Sequence, residues 1–99
     1  MKVSVELGLI LLQVFIILFF WCIHMLLYRS EIGHYNGVNP DNWVFDLFYF
    51  TTTSHSTVGY GDITPVKVPS RLTCCFHQLT LITMALFTVS SFLSINLKL

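Results

Sequence analysis

Two long uncharged apolar runs, residues 7–28 and 72–97, dominate the pattern along the chain; Glu6 and Arg29 flank the first, Arg71 and Lys98 the second. As a helix the first run extends about 33 Å, a match to a hydrocarbon core of about 30 Å. Gln13 and His24 are its strongly polar members, and Trp21 and Tyr28 are placed to sit near one membrane interface. It exceeds the usual signal-peptide core and no small-residue cleavage site follows, so a retained helix is predicted. The second run is interrupted by Thr73, His77, Gln78, Thr80, Thr83, Thr88, Ser90, Ser91, Ser94 and Asn96. Hydroxyls at this density suit a face turned toward water or other helices. They also suit side chains bonded back onto their own helix.

Between the runs, residues 29–40 carry Gly33, Gly37 and polar side chains and read as an exposed loop. Asn39-Pro40-Asp41 is a helix start, with Asn39 as N-cap and Pro40 at the first helical position. Residues 41–54 then form a short helix with Trp43, Val44, Leu47, Phe48 and Phe50, apolar enough to enter a bilayer and too short to cross it. Residues 63–71, with Pro65 and Pro69, read as an extended return to the second span. The resulting fold class is an all-α membrane protein: two transmembrane helices on either side of a re-entrant helix, within a single domain over 1–99.

Composition supports a lipid solvent. The chain has 99 residues, 55% of them hydrophobic and 10% charged, with a net charge of +0. A soluble domain of this size buries only about 60% of its unfolded surface, too little to hide that apolar content. Balanced charge leaves no basic field for nucleic acid, which is excluded as a partner. Cys22, Cys74 and Cys75 do not make an even disulfide framework. They read as buried thiols acting as small apolar residues, with a metal or redox site around Cys74 and His77 as the alternative.

The chemistry lies in residues 55–62, above all Thr57-Val58-Gly59-Tyr60-Gly61-Asp62. A dehydrated cation in a membrane needs oxygen ligands in place of its water shell. Backbone carbonyls supply them when successive peptide units point toward one axis, which requires left-handed dihedrals at alternate residues. Glycine takes these without a Cβ penalty, and Gly59 and Gly61 stand at alternate positions. Val58 and Tyr60 would then point away from the axis and pack, while Thr57 adds its hydroxyl at the inner end. One loop gives one oxygen per layer, so several copies are required.

This string resembles the selectivity filter of potassium channels. The longer stretch Thr52-Thr53-Ser54-His55-Ser56-Thr57-Val58-Gly59-Tyr60-Gly61-Asp62-Ile63-Thr64-Pro65 resembles the pore signature of the miniature potassium channels of large algal viruses. The signature covers about a seventh of the chain, and the span–pore–span layout nearly all of it. The resemblance implies a homotetramer in a lipid bilayer, an outer helix 7–28, an extracellular loop 29–40, a pore helix 41–54 and an inner helix 72–97. It implies cytoplasmic termini and, for a viral source, a host-cell or virion membrane. It implies K+ bound by the carbonyls of Thr57, Val58, Gly59 and Tyr60 and the hydroxyl of Thr57, with Gly61 completing the filter. Ba2+ and Cs+ are the expected blockers, with no cofactor and no catalysis.

Filter support is expected from Tyr49, Thr53, Ser56 and Asp62. Many family members carry a carboxylate at the position of Thr53, paired with the filter-end aspartate; here Asp62 is left to Tyr49, water or backbone amides. His55 reads as a packed core histidine, with a polar group flanking the filter as the alternative. The sequence holds no arginine-rich voltage sensor, and the second span has no glycine hinge. A gate or pore lining falls to Phe87, Ser90, Ser91, Phe92 and Ser94. Lys2 and Lys98 at the ends oppose Arg29, Lys67 and Arg71 in the connection, so charge does not set orientation. Two other classes stay open: a non-conducting subunit that regulates other channels, and a small structural viral membrane protein with incidental glycines.

Overall fold

The structure is a computed structural model that describes residues 2–97. Lys98, the expected end of the second apolar run, lies outside the described residues, as does the side chain of Lys2. In chain order the elements are α1 (Lys2–Ser30), β1 (Tyr35–Asn36), a 3-10 turn (Pro40–Asn42), α2 (Trp43–His55), β2 (Thr64–Pro65) and α3 (Val68–Leu97). Both α1 and α3 are long and apolar enough to cross a membrane. The molecule is correspondingly elongated, 55 × 23 × 22 Å.

Several boundaries differ from the sequence expectation. Helix α1 runs past residues 7–28 at both ends, because Lys, Glu and Arg are good helix formers once outside hydrocarbon. Helix α3 begins at Val68 instead of 72. Pro69, expected in an extended return, lies in its first turn, where a missing N–H costs nothing. Asn39, expected to cap the short helix, caps the 3-10 turn Pro40–Asn42 that leads into it, its Oδ1 accepting from the Asp41 amide at 2.9 Å, while α2 itself starts after Asn42 without a side-chain cap. The helix proper is preceded by a 3-10 turn and continues to His55.

One short strand pairing adds to the all-α architecture. Residues of the loop pair antiparallel with the return segment, Tyr35 opposite Pro65 and Asn36 opposite Thr64. The Val66 amide donates to the His34 carbonyl at 2.8 Å, and the Ser70 hydroxyl donates to the same carbonyl at 2.9 Å. Lys67 pairs with Glu31 at 2.5 Å, which holds the Glu31 carboxyl below its usual range. These bonds tie the loop to the segment that follows residue 62.

Helix α2 is wedged between the two long helices. Its Leu47 and Phe50 meet Tyr35, Ile63 and Cys74 in the core. Trp21 and Tyr28 dock α2. The Trp21 indole donates to the Val44 carbonyl at 3.0 Å, and the Tyr28 ring stacks on Trp43 at 5.3 Å. Cys74 packs as a small apolar residue, whereas Cys22 and Cys75 are exposed.

Candidate functional site

The segment leaving α2 is fastened to the last turn of that helix through backbone bonds. The Ser56 amide donates to Thr52, the Thr57 amide to Ser54 and the Gly59 amide to Thr53, at 2.9, 3.2 and 3.1 Å. The Ser56 hydroxyl donates to the Thr53 carbonyl at 3.2 Å. The position of residues 57–59 is therefore set by where α2 ends.

Above this anchor the backbone alternates. Thr57, Gly59 and Gly61 have φ of 67, 56 and 85°, while Val58 and Tyr60 stay out of the left-handed region. The glycines were expected at these positions; the left-handed Thr57 was not. A non-glycine residue there is strained by about 1–2 kcal/mol, so surrounding contacts must hold it. Val58 and Tyr60 are 54% and 67% exposed on the single chain. A cleft of 300 Å³ opens beside the segment, lined by Thr53, Ser54, Thr57, Gly59, Gln78 and Leu81 among others.

At the far end, Asp62 reaches two of its three expected partners. The Tyr49 hydroxyl donates to Asp62 Oδ2 at 2.9 Å, and the Ile63 amide donates to Oδ1 at 3.1 Å. The bond to the carboxylate holds the Tyr49 phenol above its usual pKa. The Tyr49 ring also stacks on Tyr60, centroids 6.2 Å apart and planes 2° from parallel. Thr53 does not touch Asp62; its hydroxyl turns back to the Phe50 carbonyl at 3.0 Å.

His55 is not the packed core residue expected. Half-buried at the end of α2, it bonds through one ring nitrogen to His77 and through the other to Gln13. No spacing in the chain marks this cluster, or the close approach of the Gly37 backbone to the Asp62 carbonyl.

On α3, Phe87, Ser90, Ser91, Phe92 and Ser94 are all exposed on the single chain. Phe87, Ser91 and Ser94 fall on one stripe by their spacing. Thr73 and Thr80, nearer the core, bond back to the carbonyls of Pro69 and Phe76. The back-bonded use of the hydroxyls thus occurs in the first half of the helix.

A family model described as "Ion channel" matches residues 8–98. The chain is 32% identical over 79 residues to "Potassium channel protein kcv" of Paramecium bursaria Chlorella virus 1, covering 77% of this chain and 83% of that protein. It is 53% identical over 49 residues to "Hyperpolarization-activated voltage-gated potassium channel" of Methanocaldococcus jannaschii, covering 48% of this chain and 23% of that protein. It is also 38% identical over 45 residues to human "Potassium channel subfamily K member 16", covering 44% of this chain and 15% of the relative. No solved structure gives a significant match.

Proposed function

The chain belongs to this ion-channel family, and from that premise we propose that it is a subunit of a potassium-selective channel whose filter is built from residues 57–61 of four copies. The observation that carries the reading is the alternation of left-handed residues at Thr57, Gly59 and Gly61. Alternate inversion turns successive carbonyls to one side, the arrangement a dehydrated cation requires. The carbonyls of Thr57, Val58, Gly59 and Tyr60 and the hydroxyl of Thr57 would hold K+. Ions pass in file, and no bond is made or broken.

Assembly follows from what a single chain leaves exposed. One protomer offers one oxygen per layer, and a closed symmetric oligomer is the usual way to complete a ring. Irregular backbone at membrane depth is tolerated only inside protein or along a water-filled cavity. Four copies would bury the filter segments against one another and cover Val58 and Tyr60. Each α2 would aim its C-terminal end, about half a negative charge, at a cavity below the filter and favour a cation there. Phe87, Ser90, Ser91, Phe92 and Ser94 would line or close the pore on the cytoplasmic side, with both termini in the cytoplasm.

The test is a recording from purified protein in a planar bilayer with K+ on one side and Na+ on the other. Currents are expected to reverse near the potassium equilibrium potential and to be blocked by Ba2+ and Cs+. Reversal midway between the two ions would sink the selective reading. Absence of current from well-formed oligomers would favour a regulatory subunit.

A smaller effect is expected at the outer brace. Tyr49→Phe keeps the stack on Tyr60 and removes the hydroxyl that meets Asp62. One exposed hydrogen bond per subunit is modest, so mean open time is expected to shorten about threefold with selectivity retained. Single-channel dwell times check this.

A further inference from the structure

We propose that Gln13, His55 and His77 form a directed hydrogen-bond chain that positions the end of α2, and through it the inner end of the filter. The positioning role rests on the channel reading above. The chain joins all three helices: His55 Nδ1 lies 3.0 Å from His77 Nε2, and His55 Nε2 lies 2.6 Å from Gln13 Oε1. His77 is fully buried, and its ring stacks on Phe20 of α1 with centroids 4.3 Å apart.

The direction of the chain follows from its ends. Gln13 Oε1 can only accept, so His55 Nε2 carries the proton and donates. A neutral His55 then has a bare Nδ1, which must accept from Nε2–H of His77. That leaves His77 Nδ1 bare, and this buried atom has no partner among the described residues. The opposite amide orientation at Gln13 would reverse every bond and strand an N–H at the same buried site. An orphaned buried N–H is rarer than an under-used acceptor, so the chain runs from His77 to His55 to Gln13.

Its place makes it a positioning device. His55 is the last residue of α2 and precedes Ser56 and Thr57 directly. The amides of Ser56, Thr57 and Gly59 hang from carbonyls of that same last turn. Thr53, which spends its hydroxyl on Phe50, offers no cross-brace. A shift of the His55 turn therefore carries the inner filter with it, and the histidine chain is what ties that turn to α1 and α3. Gln13, His55 and His77 touch no ion in this scheme.

Two measurements test it. Solid-state NMR on 15N-histidine-labelled protein in lipid should find both His55 and His77 protonated at Nε2 and bare at Nδ1. A proton on His77 Nδ1 overturns the direction assigned.

In single-channel records, Gln13→Met and His77→Leu should each shorten mean open time about fivefold, the equivalent of about 1 kcal/mol for one bond. The double variant should be no worse than the harsher single one, because the chain acts as a unit. His77→Gln, which can still donate to His55, should restore most of the open time. Gln13→Met is near-isosteric at a half-buried site, so folding is spared even if His77→Leu does not assemble. Unchanged open times alongside a lowered oligomer melting temperature, or additive effects in the double variant, would overturn the positioning role. A silent wild type with the tautomers as assigned would fail the channel reading instead, and the hydrogen-bond chain would stand.

Discussion

Gly59→Ala is expected to reduce potassium current at least about a hundredfold while oligomers still form, because the left-handed penalty of about 1–2 kcal/mol is met once in each of four subunits. Gly59 has φ of 56°, and a Cβ built on it meets no atom within 4 Å in the single chain. The cost therefore comes from the backbone and not from a clash with the fold. Alanine relieves it by rotating φ back to negative values, which swings the adjoining carbonyl off the axis in all copies together. Core residues such as Leu47, Phe50 and Cys74 are untouched, so assembly should survive. The check pairs bilayer recording with gel or light-scattering analysis of the same preparation. Potassium-selective current of wild-type size would remove the alternation at residues 57, 59 and 61 as the basis of the filter.

The fold was largely legible because its strongest signals are local. Uncharged runs of helix-spanning length mark α1 and α3, and Asn39-Pro40 marks the start of the short helix. Boundaries were less legible: charge marked where hydrocarbon ends, and the helices continued beyond it to Ser30 and back to Val68. The β1–β2 pairing was invisible, since two-residue strands have no periodicity and Tyr35 meets Pro65 across thirty positions of chain. Within the site, Gly59 and Gly61 were readable from their alternation, and Asp62 from its place after them. Which of several partners Asp62 would take depended on three-dimensional approach.

The histidine cluster shows a different limit. Gln13, His24 and His77 stand singly as polar residues within the apolar runs, and His55 stands apart from them among the hydroxyls before the filter. Gln13 and His24 are eleven apart, close to three helical turns, which puts them on one face of α1. That spacing was the available sign that α1 turns a polar stripe inward. In the structure His24 meets the Tyr35 hydroxyl and Gln13 meets His55, so one stripe serves both the loop and the end of α2. Ionisable or amide side chains are costly within a membrane unless they pair, and that cost is the physical reason to look for partners.

Gly37→Ala is the second large effect expected, and it acts from outside the filter. A Cβ at Gly37 would run into the backbone carbonyl oxygen of Asp62, and it would sit 3.1 Å from the Asp62 carbonyl carbon and 3.3 Å from Ile63 Cα. Neither strand can yield freely: Asn36 is paired with Thr64, and Val66 is bonded to His34. The displaced group is thus the peptide between Asp62 and Ile63, directly after the residue that Tyr49 braces. A backbone overlap of this kind costs about 1–3 kcal/mol or more per subunit, so current is expected to fall at least about tenfold, with shortened openings in whatever remains. Gly33 supplies the comparison. Its φ of +96° is as unfavourable for alanine as the +89° of Gly37, yet its Cβ would meet only the flexible end of Lys67, at 3.5 Å. Gly33→Ala therefore carries the backbone penalty without the collision. Current lost in Gly37→Ala and largely kept in Gly33→Ala would place the effect in the contact with Asp62. Equal losses would reduce it to the dihedral angle, and the loop would then have no grip on the filter's outer end.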